Sequence, residues 1–191
     1  MNSIKGTATE KNLLKSFAGE SQARQRYVMF AQRAREEGYE QIARFFEETA
    51  DNERVHAARF FGYLEGGMVT IEAAYPAGKV GTTLENLLEA AAGENEEHTE
   101  LYPAFAKVAK EEGFSEIASA WLMIAKVEVE HEKRYLKLAE NLKEGKVFKR
   151  DSAVRWKCEL CGYVHEGPEA PNVCPSCLEK QNQFGLKESN Y

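Results

Sequence analysis

Apolar residues recur at steps of three and four along four long stretches of the chain, a spacing that places them on one face of a helix. The stretches cover about residues 7–37, 39–64, 82–113 and 114–144. Thr7 and Thr82 each precede a glutamate by three positions, the spacing of a capping box at a helix start. Gly38, Gly113 and Gly145 follow three of the stretches, where glycine readily adopts the left-handed conformation that ends a helix. The pattern predicts four long amphipathic helices.

The connections between these predicted helices are unequal. The first and the last are tight turns at Gly38 and Gly113, whereas the second connection spans about residues 65–82. A helix of 26 residues is about 39 Å long, and 18 extended residues reach roughly 59 Å. The long connection can therefore cross the whole bundle, which predicts an all-α, ferritin-like four-helix bundle rather than a simple up-and-down one.

The two halves of the predicted bundle repeat each other. Residues 34–43 match residues 109–118 at an offset of 75, whereas residues 18–21 match residues 92–95 at an offset of 74. The second half therefore holds one extra residue, which a helix absorbs most simply as a π-bulge. We predict this bulge near residues 95–101.

Each predicted helix carries a glutamate on its apolar stripe, where burial of an unpaired carboxylate costs several kcal/mol. In the second and fourth helices the glutamate begins a Glu-x-x-His motif, which puts both side chains on one helix face. The six residues are Glu20, Glu53, His56, Glu94, Glu128 and His131. Few basic residues share these stripes, so metal ions are the expected counter-charge. Two such motifs plus one glutamate from each other helix are the known ligand pattern of di-iron and di-manganese bundles. The alternative, two solvated Glu-His faces, is disfavoured by the aromatic and aliphatic residues around them.

Four further residues lie close to the predicted ligands. Glu97, three positions after Glu94 and inside the predicted bulge, is either another ligand or a surface acid. His98 has no counterpart in the first half of the repeat, which favours a surface position. Tyr27 and Tyr102 follow the glutamates of the first and third helices by two turns. They are either hydrogen-bond donors to the ligating carboxylates or plain core aromatics.

Composition and charge restrict the class of protein. The longest uncharged run is residues 117–125, far shorter than the roughly 18–20 apolar residues that a membrane helix needs. The net charge of −6 and the lack of a basic face argue against nucleic-acid binding. The first 14 residues have no apolar segment of the signal-peptide kind. We expect a cytoplasmic protein that binds neither membranes nor nucleic acid.

The last part of the chain carries different chemistry. All four cysteines form two Cys-x-x-Cys motifs: Cys158, Cys161, Cys174 and Cys177. This spacing predicts one tetrahedral tetrathiolate site, and thiolates accept either iron or zinc. A module this small needs its metal to fold, with Trp156, Tyr163 and Phe184 as its expected core. We therefore divide the chain into a bundle over 1–147 and a metal-bound β/loop module over 148–191. Leu178 follows the second motif where glycine is more usual.

A double Glu-x-x-His bundle followed by a short tetra-cysteine module resembles rubrerythrin over nearly the whole chain. The resemblance implies two non-haem irons in the bundle and one iron in a rubredoxin-like tail, with zinc as the other possible tail metal. It extends the bundle ligands to Glu97, which is implied to alternate with His56 on one iron as the oxidation state changes. The implied ligand set is Glu20, Glu53, His56, Glu94, Glu97, Glu128 and His131, with the four cysteines in the tail.

The resemblance implies an enzyme that reduces hydrogen peroxide to water and protects an anaerobic or microaerophilic cell. Rubredoxin or an NAD(P)H-dependent reductase is the implied electron donor. The implied assembly is a homodimer in which the tail of one subunit serves the bundle of the other. Glu97, His56, Tyr27 and Tyr102 are the expected catalytic residues, with the tyrosines or a freed carboxylate handling protons.

Two other functions are compatible with parts of the sequence. The glutamate and histidine cluster alone also suits a ferritin-like ferroxidase that oxidises Fe(II) with oxygen. The tetra-cysteine module argues against this function, because iron storage needs no built-in electron donor. A non-enzymatic protein with a zinc-ribbon tail for partner binding is the third possibility, and it would be colourless in the tail.

Overall fold

A computed structural model describes residues 3–189 of the chain. Residues 1 and 2 of the predicted bundle segment and residues 190 and 191 of the predicted tail segment lie outside the described residues. The α-helices are α1 Ala8–Glu36, α2 Glu40–Phe61, α3 Thr83–Glu96, α4 Tyr102–Glu111 and α5 Ser115–Lys143. The predicted helices are present, but the second ends at Phe61 rather than near residue 64. The chain tightens there because the N–H groups of Tyr63 and Leu64 donate to carbonyls three residues back.

The third predicted helix is interrupted by a π-helix, Glu97–Leu101, which joins α3 to α4 without a turn. This is the position where the offset between the two halves of the sequence changes from 74 to 75. The prediction of a π-bulge near residues 95–101 is therefore confirmed. A wider turn accommodates one extra residue without rotating the flanking helices away from their partners.

The two predicted capping boxes differ in the structure. At α3, Glu85 N–H donates to Thr82 Oγ1 (3.3 Å) and Thr82 N–H donates to the Glu85 carboxylate (2.7 Å), so this box is complete. At α1, Glu10 N–H donates to Thr7 Oγ1 (3.1 Å), but the Glu10 carboxylate accepts from Gly6 N–H instead (2.8 Å). The prediction at Thr7 is thus half correct. Gly6 has a left-handed φ of 78°, which turns its N–H toward the helix.

The connection between α2 and α3 crosses the bundle. Near its start, the Glu65 carboxylate accepts from Ile4 N–H (3.0 Å), just before α1 begins. At its end, Thr83 N–H donates to the Glu37 carboxylate (2.9 Å), where α1 stops. The connection therefore runs the full length of α1, as a ferritin-like bundle requires.

The bundle core consists of two apolar clusters. The first includes Tyr27, Phe30, Phe46 and Tyr135, and the second includes Leu13, Phe60, Tyr102 and Trp121, all almost fully buried. Along α1, α2 and α5, the predicted ligand positions fall between the residues of these two clusters. The acids thus lie between two aromatic layers, out of bulk solvent.

The tail contains a three-stranded antiparallel sheet in the order β2-β1-β3. Its strands are β1 Lys149–Cys158, β2 Val164–Glu169 and β3 Phe184–Leu186, with a 3₁₀ turn at Gln181–Gln183. Trp156 and Phe184 are fully buried in its core, and Tyr163 packs against them while partly exposed. The predicted small core is therefore confirmed.

The tail lies against the beginning of α2. The Arg44 guanidinium donates to the backbone carbonyl of Glu159 (3.1 Å) and pairs with its carboxylate (3.2 Å). The ring of Phe148, before the sheet, stacks on Tyr39 before α2, with centroids 6.3 Å apart. Among the described helices, none combines the length and apolar character needed to cross a lipid bilayer.

Candidate metal centres

The six residues predicted from the apolar stripes meet in the middle of the bundle. Each is at most 8% exposed. They come from four helices: Glu20 from α1, Glu53 and His56 from α2, Glu94 from α3, and Glu128 and His131 from α5. The three-residue spacing aims the acid and the imidazole of each motif at the same point. The structure thus brings together residues up to 111 positions apart in sequence, between residues 20 and 131.

Their ligand atoms form two groups of four, each within 4.8 Å. One group contains Glu20, Glu53, His56 and Glu128, and the other contains Glu53, Glu94, Glu128 and His131. Glu53 and Glu128 belong to both groups. A pair of carboxylates shared between two four-residue groups is the arrangement expected of a site for two cations.

The distances within the two groups are nearly the same. His56 Nδ1 lies 2.8 Å from a Glu53 oxygen and 3.1 Å from a Glu128 oxygen. His131 Nδ1 lies 2.8 Å from the other Glu128 oxygen and 3.2 Å from the other Glu53 oxygen. Each shared carboxylate therefore turns one oxygen toward each histidine, which reproduces in space the repeat seen in the sequence.

The cluster fits metal cations because its polar atoms lack other partners. Apart from their contacts with one another, six buried side-chain atoms here have no hydrogen-bond partner among the described residues: Glu20 Oε2, Glu53 Oε1, Glu94 Oε2, Glu128 Oε1 and Oε2, and His131 Nδ1. Leaving such atoms unpaired costs about 1–3 kcal/mol each, and more for charged groups. Oxygen and imidazole donors are ligands that iron, manganese and zinc accept. Two divalent cations would satisfy these atoms and neutralise four carboxylates.

Protons balance part of the charge of this cluster. Burial alone would lower the pKa of both histidines. The facing carboxylates of Glu128 and Glu53 outweigh burial and raise the pKa of His56 to about 9. The same two carboxylates raise the pKa of His131 to about 12. Burial raises the pKa of Glu94 to about 8. Metal ions and protons therefore compete for this site.

Glu97 begins the π-helix and stands apart from both groups of four. It is partly buried, and burial together with the Glu94 carboxylate raises its pKa well above the usual range. Among the charged neighbours of Glu20, Glu97 contributes most to the raised pKa of that carboxyl group. Glu97 thus adjoins the cluster, with carboxylates of both groups of four among its charged neighbours. Its role as a ligand stays a prediction.

Both tyrosines donate hydrogen bonds to the cluster. Tyr27 on α1 donates to Glu94 Oε1 (2.6 Å), and Tyr102 on α4 donates to Glu20 Oε1 (2.5 Å). Each tyrosine therefore supports the glutamate of the other half of the repeat. The expectation that they bond the predicted ligands is confirmed, and their part in catalysis stays a prediction. This exchange cannot be read from spacing, because it depends on how α1 packs beside α3 and α4.

Two more polar contacts connect to the cluster. His98 Nε2 lies 2.6 Å from the Glu132 carboxylate, which also accepts from Asn95 (3.0 Å). His98 therefore links the π-helix to α5 outside the two groups of four. Its side chain is only 14% exposed, so the predicted surface position is only partly correct. His131 Nε2 lies 3.3 Å from the Asn52 amide oxygen, a partner that the sequence analysis missed. The one indication of this contact in the sequence was that Asn52 directly precedes Glu53.

The four cysteines meet at a second site in the tail. Their sulfur atoms lie within 4.8 Å of one another, with Cys158 and Cys177 3.8 Å apart and Cys161 and Cys174 3.6 Å apart. These separations exclude disulfides, in which sulfurs are about 2.05 Å apart. They match a tetrahedron with metal–sulfur bonds of about 2.3 Å. The backbone N–H of Tyr163 lowers the pKa of Cys161 to about 6, which favours the thiolate that binds metal.

The fold and the two sites define a class of protein: a ferritin-like bundle with a di-metal carboxylate–histidine site, joined to a four-cysteine module. A family model described as rubrerythrin matches residues 11–139, and one described as its rubredoxin-like domain matches residues 156–185. The chain belongs to the rubrerythrin family. It therefore carries the di-iron site and the rubredoxin-like four-cysteine site of that family.

Individual relatives resemble the chain over its whole length. A rubrerythrin of Porphyromonas gingivalis is 57% identical, covering 99% of this chain and 94% of the relative. One of Nitratidesulfovibrio vulgaris is 52% identical over all of both chains. The solved structure of partially reduced nigerythrin has a TM-score of 0.62 at 32% identity, covering 97% of this chain and 92% of that one.

Proposed function

We propose that this protein reduces hydrogen peroxide to water at the bundle site, with electrons supplied through the tail. The supporting observation is the union, in one chain, of the double group of four with the four-cysteine site. The reaction consumes one peroxide, two electrons and two protons and yields two waters. When bound, two ferrous ions supply the two electrons, one each, and stabilise the negative charge on the departing oxygens.

We assign the ligands residue by residue as part of this proposal. Glu53 and Glu128 would serve as ligands at both metal positions, because each belongs to both groups of four. Glu20 and His56 complete one position, and Glu94 and His131 complete the other. Glu97 would alternate with His56 at the first position, as the resemblance to rubrerythrins implies. In the tail, the ligands are Cys158, Cys161, Cys174 and Cys177.

The protein's own groups hold the protons that the reaction needs. The phenol oxygens of Tyr27 and Tyr102 each hold one proton, directed at a carboxylate oxygen 2.6 Å and 2.5 Å away. Burial raises the pKa of both phenols well above 10, so these protons stay in place at neutral pH. A carboxylate that leaves a metal can hold a further proton, as the raised pKa of Glu97 indicates. The two aromatic layers cover the cluster on either side along the bundle.

The tail relays electrons singly from an external donor to the bundle. We propose rubredoxin or an NAD(P)H-dependent reductase as that donor, because a one-electron thiolate site matches their chemistry. Unpaired thiolates persist in reducing compartments, which supports a cytoplasmic location. We propose a homodimer in which the tail of one subunit serves the bundle of the other. The division into 1–147 and 148–191 is part of the same proposal.

A stopped-flow experiment tests the function. Fully reduced, anaerobic protein is mixed with hydrogen peroxide, and the visible bands of both ferric sites are followed. Rapid return of both bands, with slower reaction on oxygen, is expected. A faster reaction with oxygen would favour a ferroxidase, whose fold is shared by a bacterioferritin structure at TM-score 0.62 and 25% identity. A tail that stays colourless would favour zinc in that site.

Glu97→Ala tests the assigned exchange of ligands. Peroxide turnover should fall while both irons remain bound, because six ligands remain in the two groups of four. Glu96→Ala is the matched control, since Glu96 is an exposed acid one residue away. Unchanged turnover in the Glu97 variant would remove this carboxylate from the mechanism.

A further inference from the structure

Two glycines occupy equivalent places in the two halves of the repeat. Gly19 and Gly93 each directly precede a glutamate of the cluster, within the matched segments 18–21 and 92–95. Both lie inside helices, where glycine costs about 1 kcal/mol relative to alanine. Neither has the positive φ that requires glycine. Backbone conformation therefore does not explain why glycine occupies both positions despite its cost to helix stability.

Close packing does not explain it either. A Cβ built on Gly19 would lie 3.6 Å from the ring of Tyr75, and one built on Gly93 would lie 4.0 Å from the Arg26 guanidinium. Both are ordinary van der Waals distances, so alanine would fit at either position. The feature that the two glycines share is that both border the same open space.

That space is a cavity of about 390 Å³ between α1, the π-helix and the crossing connection. Gly19 and Gly93 both line it. Its outer wall includes exposed residues of the connection, among them Tyr75. Its inner wall includes Glu97 and the buried Tyr102, whose hydroxyl bonds the Glu20 carboxylate. The cavity thus extends from the surface to the edge of the metal cluster.

The crossing connection partly covers this space. The Tyr75 hydroxyl donates to the backbone carbonyl of Lys15 (2.8 Å), which fixes the aromatic ring beside Gly19. Tyr75 remains 39% exposed, so the ring lies at the outer end of the cavity. A methyl group at Gly19 would extend toward the cavity without a clash, and a longer side chain would have to fill the cavity or displace this ring.

We propose that this cavity is the passage by which a small oxidant reaches the bundle site, and that Gly19 and Gly93 keep it open. The inference rests on the proposed peroxide chemistry for the identity of its substrate. The passage leaves room for a small oxidant beside the two glycines, and a long side chain at either position would narrow it. The repeated glycines are then positioning residues for access rather than for stability.

Narrowing the passage tests the proposal. We would compare Gly19→Leu and Gly93→Leu with the wild type and with Gln25→Leu, an exposed position of α1 outside the cavity. The probe is azide, which has three heavy atoms, and the readout is the rate of binding and release at the oxidised, iron-loaded protein. Oxidation of the reduced protein by hydrogen peroxide and by cumene hydroperoxide is measured in parallel.

A blocked passage has a specific kinetic signature. Both azide rates should fall at least about tenfold in the two glycine variants. Because they fall by the same factor, the azide Kd and the visible spectrum should stay the same. Gln25→Leu should match the wild type, and the glycine variants should slow cumene hydroperoxide, the bulkier oxidant, at least as much as hydrogen peroxide. Equal azide rates in the wild type and the variants would overturn the proposal, as would a changed Kd with a changed spectrum.

A second variant covers the case in which leucine prevents folding. Gly19→Ala should raise Tm, because alanine favours helix, and should slow azide moderately. Unchanged azide rates in Gly19→Ala would also overturn the proposal. If the proposed peroxide reduction is wrong, the result is different. The azide rates would still fall in the glycine variants, but hydrogen peroxide would not oxidise the reduced wild type.

Discussion

Removal of metal from the bundle should make the stability of the protein fall as pH rises from about 6.5 to about 8.5. In the metal-free fold, the pKa values of His56 and His131 are about 9 and about 12, above the usual 6.5. The pKa of Glu94 is about 8, above the usual 4.5. The folded protein therefore keeps protons in this range that the unfolded chain releases. Stability from such groups is fully present below the unfolded pKa and is lost as pH rises through the folded pKa.

The magnitude follows from the number of protons that differ between the two states. One extra proton in the folded state changes the free energy of unfolding by about 1.4 kcal/mol per pH unit. Over two pH units this amounts to about 3 kcal/mol. For a chain of this size the corresponding fall in Tm is roughly 6–12 °C. One proton is a conservative figure, because three groups have raised pKa values.

Thermal unfolding followed by helical circular dichroism measures this effect. The protein is prepared with zinc in the tail and an empty bundle site, so that the tail stays folded. The same protein with both bundle metals is the control, and its Tm should not fall over this pH range, because bound ligands are already deprotonated. Glu94→Gln removes one titrating group, so the metal-free variant should lose less stability. A metal-free Tm that stays level or rises from pH 6.5 to 8.5 would refute the reasoning.

Three further predictions concern single changes. Tyr102→Phe leaves a buried oxygen of Glu20 without its donor, so urea unfolding of the metal-free protein should show a loss of about 1–3 kcal/mol. Tyr135→Phe removes a buried hydroxyl that has no hydrogen-bond partner among the described residues, so this change should be nearly neutral in the same assay. Leu178→Gly should slow the loss of tail metal to a chelator and stabilise the tail by about 1 kcal/mol, because Leu178 has a left-handed φ of 63° and an exposed side chain. A chain ending at residue 147 should bind bundle iron but lose peroxide turnover with an external reductant, and normal turnover would contradict the relay.

The sequence was sufficient to predict features that depend on local periodicity. The buried acids were found because Glu53 and Glu128 interrupt apolar stripes at helical spacing, and hydrophobic burial makes such stripes nearly obligatory. The π-helix was found because a one-residue change of offset has few structural solutions. The first signal lies within single helices, and the second lies in the comparison of the two halves of the repeat.

Features that depend on packing between distant elements could not be predicted. The exchange of Tyr27 and Tyr102 between halves requires the relative positions of α1, α3 and α4. The contact of Asn52 with His131 joins α2 to α5. The cavity depends on how the connection between α2 and α3 runs over Gly19. The sequence of this connection has no periodic pattern that would indicate its path. The half-formed capping box at Thr7 depends on the left-handed turn at Gly6.

The single residue added by the π-helix breaks the equivalence of the two halves of the site. The repeated helices give each group of four one glutamate and one histidine of its own and two carboxylates common to both. Glu97 has no equivalent in the first half, so under the proposed ligand assignment one metal position would have a spare carboxylate and the other none. Two positions with different numbers of available ligands differ in affinity. A substoichiometric supply of metal would therefore fill one before the other, and a protein that outwardly has two copies of one half-site would assemble its centre in a fixed order.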